Sequence, residues 1–279
     1  MKILVTGATG FIGNHLINEL LLQGHDIVAS STDSKKAAAY AWFDKVQYVE
    51  YDLEDGGELD LFHFFGSPDL LIHLAWQGLP HFKSLHHLEK ALFDQVHFIR
   101  NLVGGGLKSL TVAGTCLEYG LREGALTEDM PADPTTAYGI AKDSLRKYIQ
   151  LLSGIFDFSF KWVRFFYMYG QGQQSGSLLP QLEAALKENS DTFKMSGGQQ
   201  ERDYLEIKEV VKNVVLIALQ DKVTGIINCC SGIPISVRAF VDRYLAQKGK
   251  IIKLELGVYP YPDYEPMSFW GDITKLKKV

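Results

Sequence analysis

The chain has 279 residues, 46% of them hydrophobic, enough to bury one large core or two unequal ones, which excludes a disordered chain. Its 28 basic and 33 acidic residues give a net charge of -5 and are interspersed, leaving no electrostatic footprint for nucleic acid or an anionic membrane. No apolar run approaches the roughly 20 residues of a membrane span, the start MKILVTGATG lacks the regions of a secretory signal, and Cys116, Cys229 and Cys230 make neither a metal spacing nor an even disulfide framework. The expectation is a cytoplasmic protein with free thiols that acts on a small molecule.

Short β-branched runs alternate with helical patterns from residue 2 to about 164. KILVT is followed by the helical FIGNHLINELLLQ, and then come DIVAS, VQYVE, LLIHLA, SLTVAG and FKWVRF. Two long amphipathic segments, about 85–102 and 136–152, separate the later runs, and the triplet Gly104, Gly105 and Gly106 stops the first of them. This alternation predicts an α/β fold, a doubly wound parallel sheet of the Rossmann kind with crossover helices. After Tyr169 the pattern changes to glycine-rich turns, with helices near 178–187, 208–219 and 237–248 and the short strand GIINCC. The division expected is a dinucleotide-binding domain over 1–166 that carries the catalytic residues, and a smaller mixed α/β substrate lobe over 167–279 whose elements interleave with it.

TGATGFIG follows the first strand directly and opens the first helix, with Gly7, Gly10 and Gly13 spaced GxxGxxG. The first glycine permits the turn, the second lets backbone N–H groups approach a pyrophosphate, and the third allows close helix–strand packing. With Thr9, Phe11 and Ile12 between them, these residues are the expected cofactor loop. The second strand ends at Ser30–Ser31, where NAD-preferring folds place an acid for the ribose hydroxyls. Asp33 lies past the strand, and Lys35 and Lys36 follow it. Ser31 in place of an acid, with Lys35 as a partner for a 2′-phosphate, favours NADP(H) over NAD(H).

Tyr138 and Lys142 stand at i and i+4 in AYGIAKDSLRKY, on one face of a helix. A phenol of ordinary pKa about 10 is a poor acid or base at neutral pH, and an adjacent ammonium lowers that value. The lysine is also expected to hold the nicotinamide ribose while the tyrosine moves the proton that accompanies hydride transfer.

With the glycine loop and this pair, the chain resembles the extended short-chain dehydrogenase/reductase family along nearly its whole length. The resemblance implies that Thr115 in AGTCLEYG binds the reacting carbonyl, that Asp52 and Leu53 in VEYDLED lie at the adenine, and that Leu74–Ala75 in LIHLAW lines the cofactor. It further implies that Arg202 in ERDYLEIKEVV takes a substrate phosphate. Tyr167 stands in WVRFFYMYGQG where many members have asparagine, and the chain stops at Val279 where members often continue with another helix. A homodimer built on the two long helices is a further implication.

Dehydratase members place Asp-Glu after the threonine, where this chain has Cys116 and Leu117, and leucine cannot protonate a leaving hydroxyl. Members that epimerise at C3 and C5 place a cysteine where Leu117 stands. Glu118 is the remaining acid, a candidate for a sugar hydroxyl or for capping a loop. The pattern resembles reductases that convert 4-keto-6-deoxy nucleotide sugars with NADPH. The alternatives are a nucleotide-sugar epimerase and a non-enzymatic NADP(H)-binding regulator, of which the latter commonly loses the tyrosine or lysine. His73, His81, His86, His87 and His97 fall in no zinc spacing, so no metal site is expected.

Overall fold

Seven apolar runs become the strands of one sheet: β1 Lys2–Thr6, β2 Asp26–Ser31, β3 Gln47–Glu50, β4 Leu70–His73, β5 Ser109–Thr115, β6 Ser159–Phe165 and β7 Gly225–Cys229. In this computed structural model, which describes residues 1–57 and 59–279, they pair in the order β3-β2-β1-β4-β5-β6-β7. Every pair is parallel. Parallel neighbours need crossovers that cover both faces, which is why the strands read as continuous apolar runs rather than alternations. Ile3, Val5, Ile27 and Ile72 pack under helices Phe11–Leu22 and Ile207–Ala218, whereas Leu4, Val28, Leu71 and Trp162 pack under Leu92–Gly105 and Ala137–Leu152.

The chain winds outward from β1 in both directions, so the ends of β1 and β4 flank the switch point at which such sheets bind ligands. Thr6 lies level with Ser30 on one side and His73 on the other. One long helix expected over 85–102 is instead a wider π-helical turn, His87–Ala91, continued by the α-helix Leu92–Gly105. The wide turn carries His87 into the interior, where its Nε2 meets the His81 carbonyl at 3.1 Å.

Elements from beyond residue 166 interleave with the large sheet. Helix Ile207–Ala218 and β7 return from the second half to cover and extend the large sheet, because Val210, Val214, Ile217 and Ile227 complete the core under β1 and β6. The remaining lobe has its own core of Leu179, Leu182, Phe193, Phe240 and Val241. It holds the three-stranded sheet of Tyr167–Tyr169, Glu201–Glu206 and Pro234–Ser236, and helices Leu178–Lys187 and Val237–Lys248. Among the described residues, no helix is long and apolar enough to cross a membrane.

Candidate active site

A cleft of about 690 Å³ runs along the carboxyl ends of the central strands. Its floor is the glycine turn. Gly7 has φ +68°, and a side chain there would meet the backbone of Leu74 and Ala75 at 2.9 Å; a Cβ on Gly13 would lie 2.3 Å from the Gly7 carbonyl oxygen. The turn is thus pressed between β4 and helix Phe11–Leu22, a fit that only hydrogen side chains allow. Gly10 caps that helix with no side chain, leaving its first N–H groups open beside Phe11, Ile12 and Gly13, which line the cleft. Open donors at a positive helix end fit the pyrophosphate of a dinucleotide.

Leu74 lines the same cleft, while Ala75 packs its backbone on Gly7 and Thr9 accepts from Tyr40 through its carbonyl. Ser31 ends β2 with its hydroxyl 3.0 Å from Tyr48 Oη. Lys35 is exposed on the short helix Ser34–Ala38, and Asp33 caps that helix by accepting from Lys36 N at 2.8 Å. Asp52 likewise accepts from Glu54 N at 3.0 Å. Leu53 is a correction: its side chain is buried among Leu4, Val28 and Phe98, so only its backbone remains for a cofactor.

Thr115, Tyr138 and Lys142 line the cleft together. The end of β5 presents Thr115, and Thr136 caps the tyrosine's helix by accepting from Gly139 N at 3.0 Å. Thr115 Oγ1 accepts from Leu117 N at 3.2 Å, which leaves its own hydrogen for a ligand. The expected lowering of the Tyr138 pKa by its neighbour is corrected by burial. Desolvation pushes the phenol well above its ordinary value, with Glu118 and Cys116 adding to it. Burial pulls the Lys142 ammonium down to about 7, opposed by the Glu118 carboxylate. The ammonium donates to the Ala113 carbonyl at 2.8 Å and lies 4.0 Å from the centre of the Trp76 ring, but 5.9 Å from that of Tyr138.

Glu118 does not line the cleft. Its carboxylate is fully buried behind Thr115, accepting from Thr115 N at 2.8 Å, Trp162 Nε1 at 2.9 Å and Arg164 Nε at 2.8 Å. Reciprocal capping with Thr115 turns the carboxylate inward. Arg202 is likewise committed within the protein, donating to Glu265 Oε2 at 2.9 Å and to the Glu201 carbonyl at 2.7 Å, with its side chain 3% exposed. Tyr167 donates to the other Glu265 oxygen. Tyr167 and Glu265 line both the cleft and an adjoining cavity of about 420 Å³ that contains Arg202, Phe193, Tyr204 and Tyr259. Burial, then the Glu265 charge, holds the Tyr167 phenol well above its usual range.

Trp76, Phe82, Tyr264 and Glu265 also line the cleft, and sequence reasoning assigned none of them. Trp76 sits directly after the Leu74–Ala75 turn and carries a positional signal; Glu265, between Pro262 and Pro266, carries none. A wider groove of about 910 Å³ at the amino ends of β6 and β7 holds Lys222, Lys275 and Asp129 but none of these groups. His73 is buried between Thr6 Oγ1, 2.7 Å away, and Gln95; desolvation pulls its imidazole down to about 4, opposed by the Gln95 hydrogen bond.

Residues 3–230 match the NAD dependent epimerase/dehydratase family. The chain belongs to that family. It is 30% identical to the dTDP-6-deoxy-L-talose 4-dehydrogenase (NAD(+)) of Aggregatibacter actinomycetemcomitans over 97% of this chain and 99% of that one. It is 28% identical to a UDP-glucose 4-epimerase of Corynebacterium glutamicum, covering all of this chain and 89% of that one. MoeE5, solved with UDP-glucuronic acid and NAD, superposes with a TM-score of 0.83 at 25% identity, covering 100% and 92% of the two chains. A UDP-N-acetylglucosamine 4-epimerase from Methanobrevibacter ruminantium M1 superposes at 0.88 with 20% identity, covering 99% and 91%, a likeness of fold. As a family member the chain is an NAD(P)-dependent oxidoreductase of the short-chain dehydrogenase/reductase type.

Proposed function

We propose that this enzyme reduces the 4-keto group of a nucleoside-diphosphate-linked 4-keto-6-deoxyhexose with NADPH, in deoxysugar biosynthesis, and oxidises the same carbon in reverse. The observation that carries the reading is the composition of the cleft around Thr115 and Tyr138. Leu79, Phe82, Leu117 and Phe166 give it an apolar wall suited to a C6 methyl group, and Lys142 is the one cation among its described lining residues, leaving no second cation for a C6 carboxylate. The relative named for 4-dehydrogenation of a 6-deoxytalose nucleotide acts at the same carbon of the same sugar class. The nicotinamide supplies or accepts the hydride.

In this reading Thr115 donates its free hydrogen to the C4 oxygen, and Tyr138 Oη gives that oxygen its proton as the hydride arrives. The Lys142 ammonium stabilises the phenolate left behind and orients the ribose. Leu117 at the cleft wall provides no second proton donor, which argues against dehydration and against exchange at C3 or C5. The adjoining cavity is the proposed nucleotide site: Phe193 and Tyr259 offer surfaces for the base, Tyr167 with Glu265 stands at the junction, and Arg202 takes the diphosphate only once Glu265 moves off its guanidinium. Ser31 in place of an acid supports NADP(H), with Lys35 and Lys36 exposed beyond it. A homodimer is proposed through the outward faces of the two long helices, where Phe93, Ile140 and Leu151 are exposed.

The test is incubation in deuterium oxide with NADPH and dTDP-, CDP- and GDP-linked 4-keto-6-deoxyhexoses. Expected are NADPH oxidation, label at C4 from NADPH deuterated on the transferred face, and no enzyme-dependent deuterium at C3 or C5. Washout at C3 or C5 that disappears in Cys116→Ser would make Cys116 a proton shuttle and overturn the simple reductase. Interconversion of UDP-hexoses at C4 without net cofactor turnover would establish the epimerase instead.

A further inference from the structure

Trp76 and His87 stand beside the proposed catalytic pair without a part in the chemistry above. Trp76 follows the Leu74–Ala75 turn and lines the cleft, and its ring carries the Lys142 ammonium at 4.0 Å. Trp76 Nε1 donates to His87 Nδ1 at 3.1 Å, while Nε2 of that imidazole donates to the His81 carbonyl at 3.1 Å. One neutral tautomer satisfies both bonds. His87 is fully buried on the π-helical turn. Tyr138 packs against the same two rings, at 5.7 Å edge-on to Trp76 and 5.3 Å from His87.

We propose that Trp76, steered by His87, is a positioning residue that holds Lys142 as an ammonium one helical turn from Tyr138. This rests on the functional reading above, in which the charged lysine is the working form. An ammonium has three donors, and this buried one spends a single hydrogen bond on Ala113. Its remaining stabilisation comes from the negative faces of rings, Trp76 at 4.0 Å, Trp162 at 5.8 Å and Tyr138 at 5.9 Å, and from the Glu118 carboxylate. His73 and Tyr138 are the other titratable groups near it, and His81 and His86 with Lys142 face His87. The indole is therefore the nearest aromatic face to the ammonium within the cleft. Its rotation is fixed by a bond that a protonated His87 could not accept.

Substitution separates this role from packing. Trp76→Leu keeps an apolar side chain and removes the π face, and Trp76→Phe keeps a weaker one. Lys142 is titrated by NMR in protein carrying ¹³C-labelled lysine, with its resonance assigned through Lys142→Arg, so the readout needs no substrate. The midpoint is expected to fall in the order Trp, Phe, Leu, by about half to one pH unit between the ends. The alkaline limb of kcat/KM for the cofactor is expected to move down in the same order. His87→Leu lowers the midpoint as well, and His87→Gln, which retains an acceptor for the indole N–H, lowers it less. Circular dichroism reports folding of each variant, and Trp76→Phe carries the test if the leucine form does not fold. A folded Trp76 variant whose Lys142 midpoint matches that of the unaltered protein overturns the inference. Activity retained in Tyr138→Phe overturns the functional reading instead and leaves the titration to be read by itself.

Discussion

Replacing Glu118 with alanine should destabilise the protein strongly, and the size of the effect follows from what the carboxylate touches. It is 0% exposed and accepts from Arg164, Trp162 and the backbone of Thr115. Arg164 is itself 1% exposed, so the substitution leaves an unpaired guanidinium in the core, and breaking such a pair costs about 3–5 kcal/mol. The orphaned indole N–H adds on the order of 1 kcal/mol or more unless water enters the hole. At about 2–4 °C per kcal/mol for a chain of this size, the melting temperature should drop by about 10 °C or more. Glu118→Gln, which keeps the shape and one acceptor, should lose roughly half as much. Melts followed by circular dichroism, alongside steady-state kinetics at a temperature where both proteins are folded, provide the assay. A Glu118→Ala protein that melts within about 2 °C of the parent, a shift worth under 1 kcal/mol, and shows only a raised KM for the sugar nucleotide would refute the buried-pair reasoning. It would restore Glu118 as a substrate contact.

Tyr138→Phe should lower kcat by about 10²–10⁴ while leaving the dissociation constant of NADPH unchanged, since it removes the proton donor and keeps the ring; fluorescence titration of the cofactor checks the second half. Lys142 has its pKa lowered to about 7 in the ligand-free protein, so its charged form is lost as pH rises through that value. Accordingly kcat/KM for the cofactor should fall above about pH 7, and kcat should fall only at higher pH, because bound phosphates favour the ammonium; a kcat/KM flat from roughly pH 6 to 9 would count against this. Ser31→Asp should shift the NADPH:NADH ratio of kcat/KM toward NADH by at least about tenfold, or 1.4 kcal/mol. Comparable use of both cofactors by the unaltered protein would remove its basis. Gly13→Ala places a methyl group 2.3 Å from the Gly7 carbonyl and should weaken dinucleotide binding while costing about 1–3 kcal/mol of stability, measurable by calorimetry and by melting.

The parts of this protein legible in its sequence are those whose cause is local. A strand followed at once by glycines spaced GxxGxxG and then a helical pattern favours a tight turn into a helix, and Gly7, Gly10 and Gly13 make one. Tyr138 and Lys142 share a helix face because they are four residues apart, and apolar runs divided by helical patterns imply a parallel sheet with both faces covered. The placing of charge was decided elsewhere. Glu118 looks like an acid available to substrate until β5 and β6 pair and bring Trp162 and Arg164, more than forty residues away, against it. Arg202 meets Glu265, and Lys142 meets Trp76, only because the returning chain and the switch point bring them together. Periodicity and spacing record which side of an element a residue occupies. Which charge it finds there depends on contacts between distant segments, and burial among those contacts raised the phenol and lowered the ammonium of a pair whose spacing alone implied a lowered phenol.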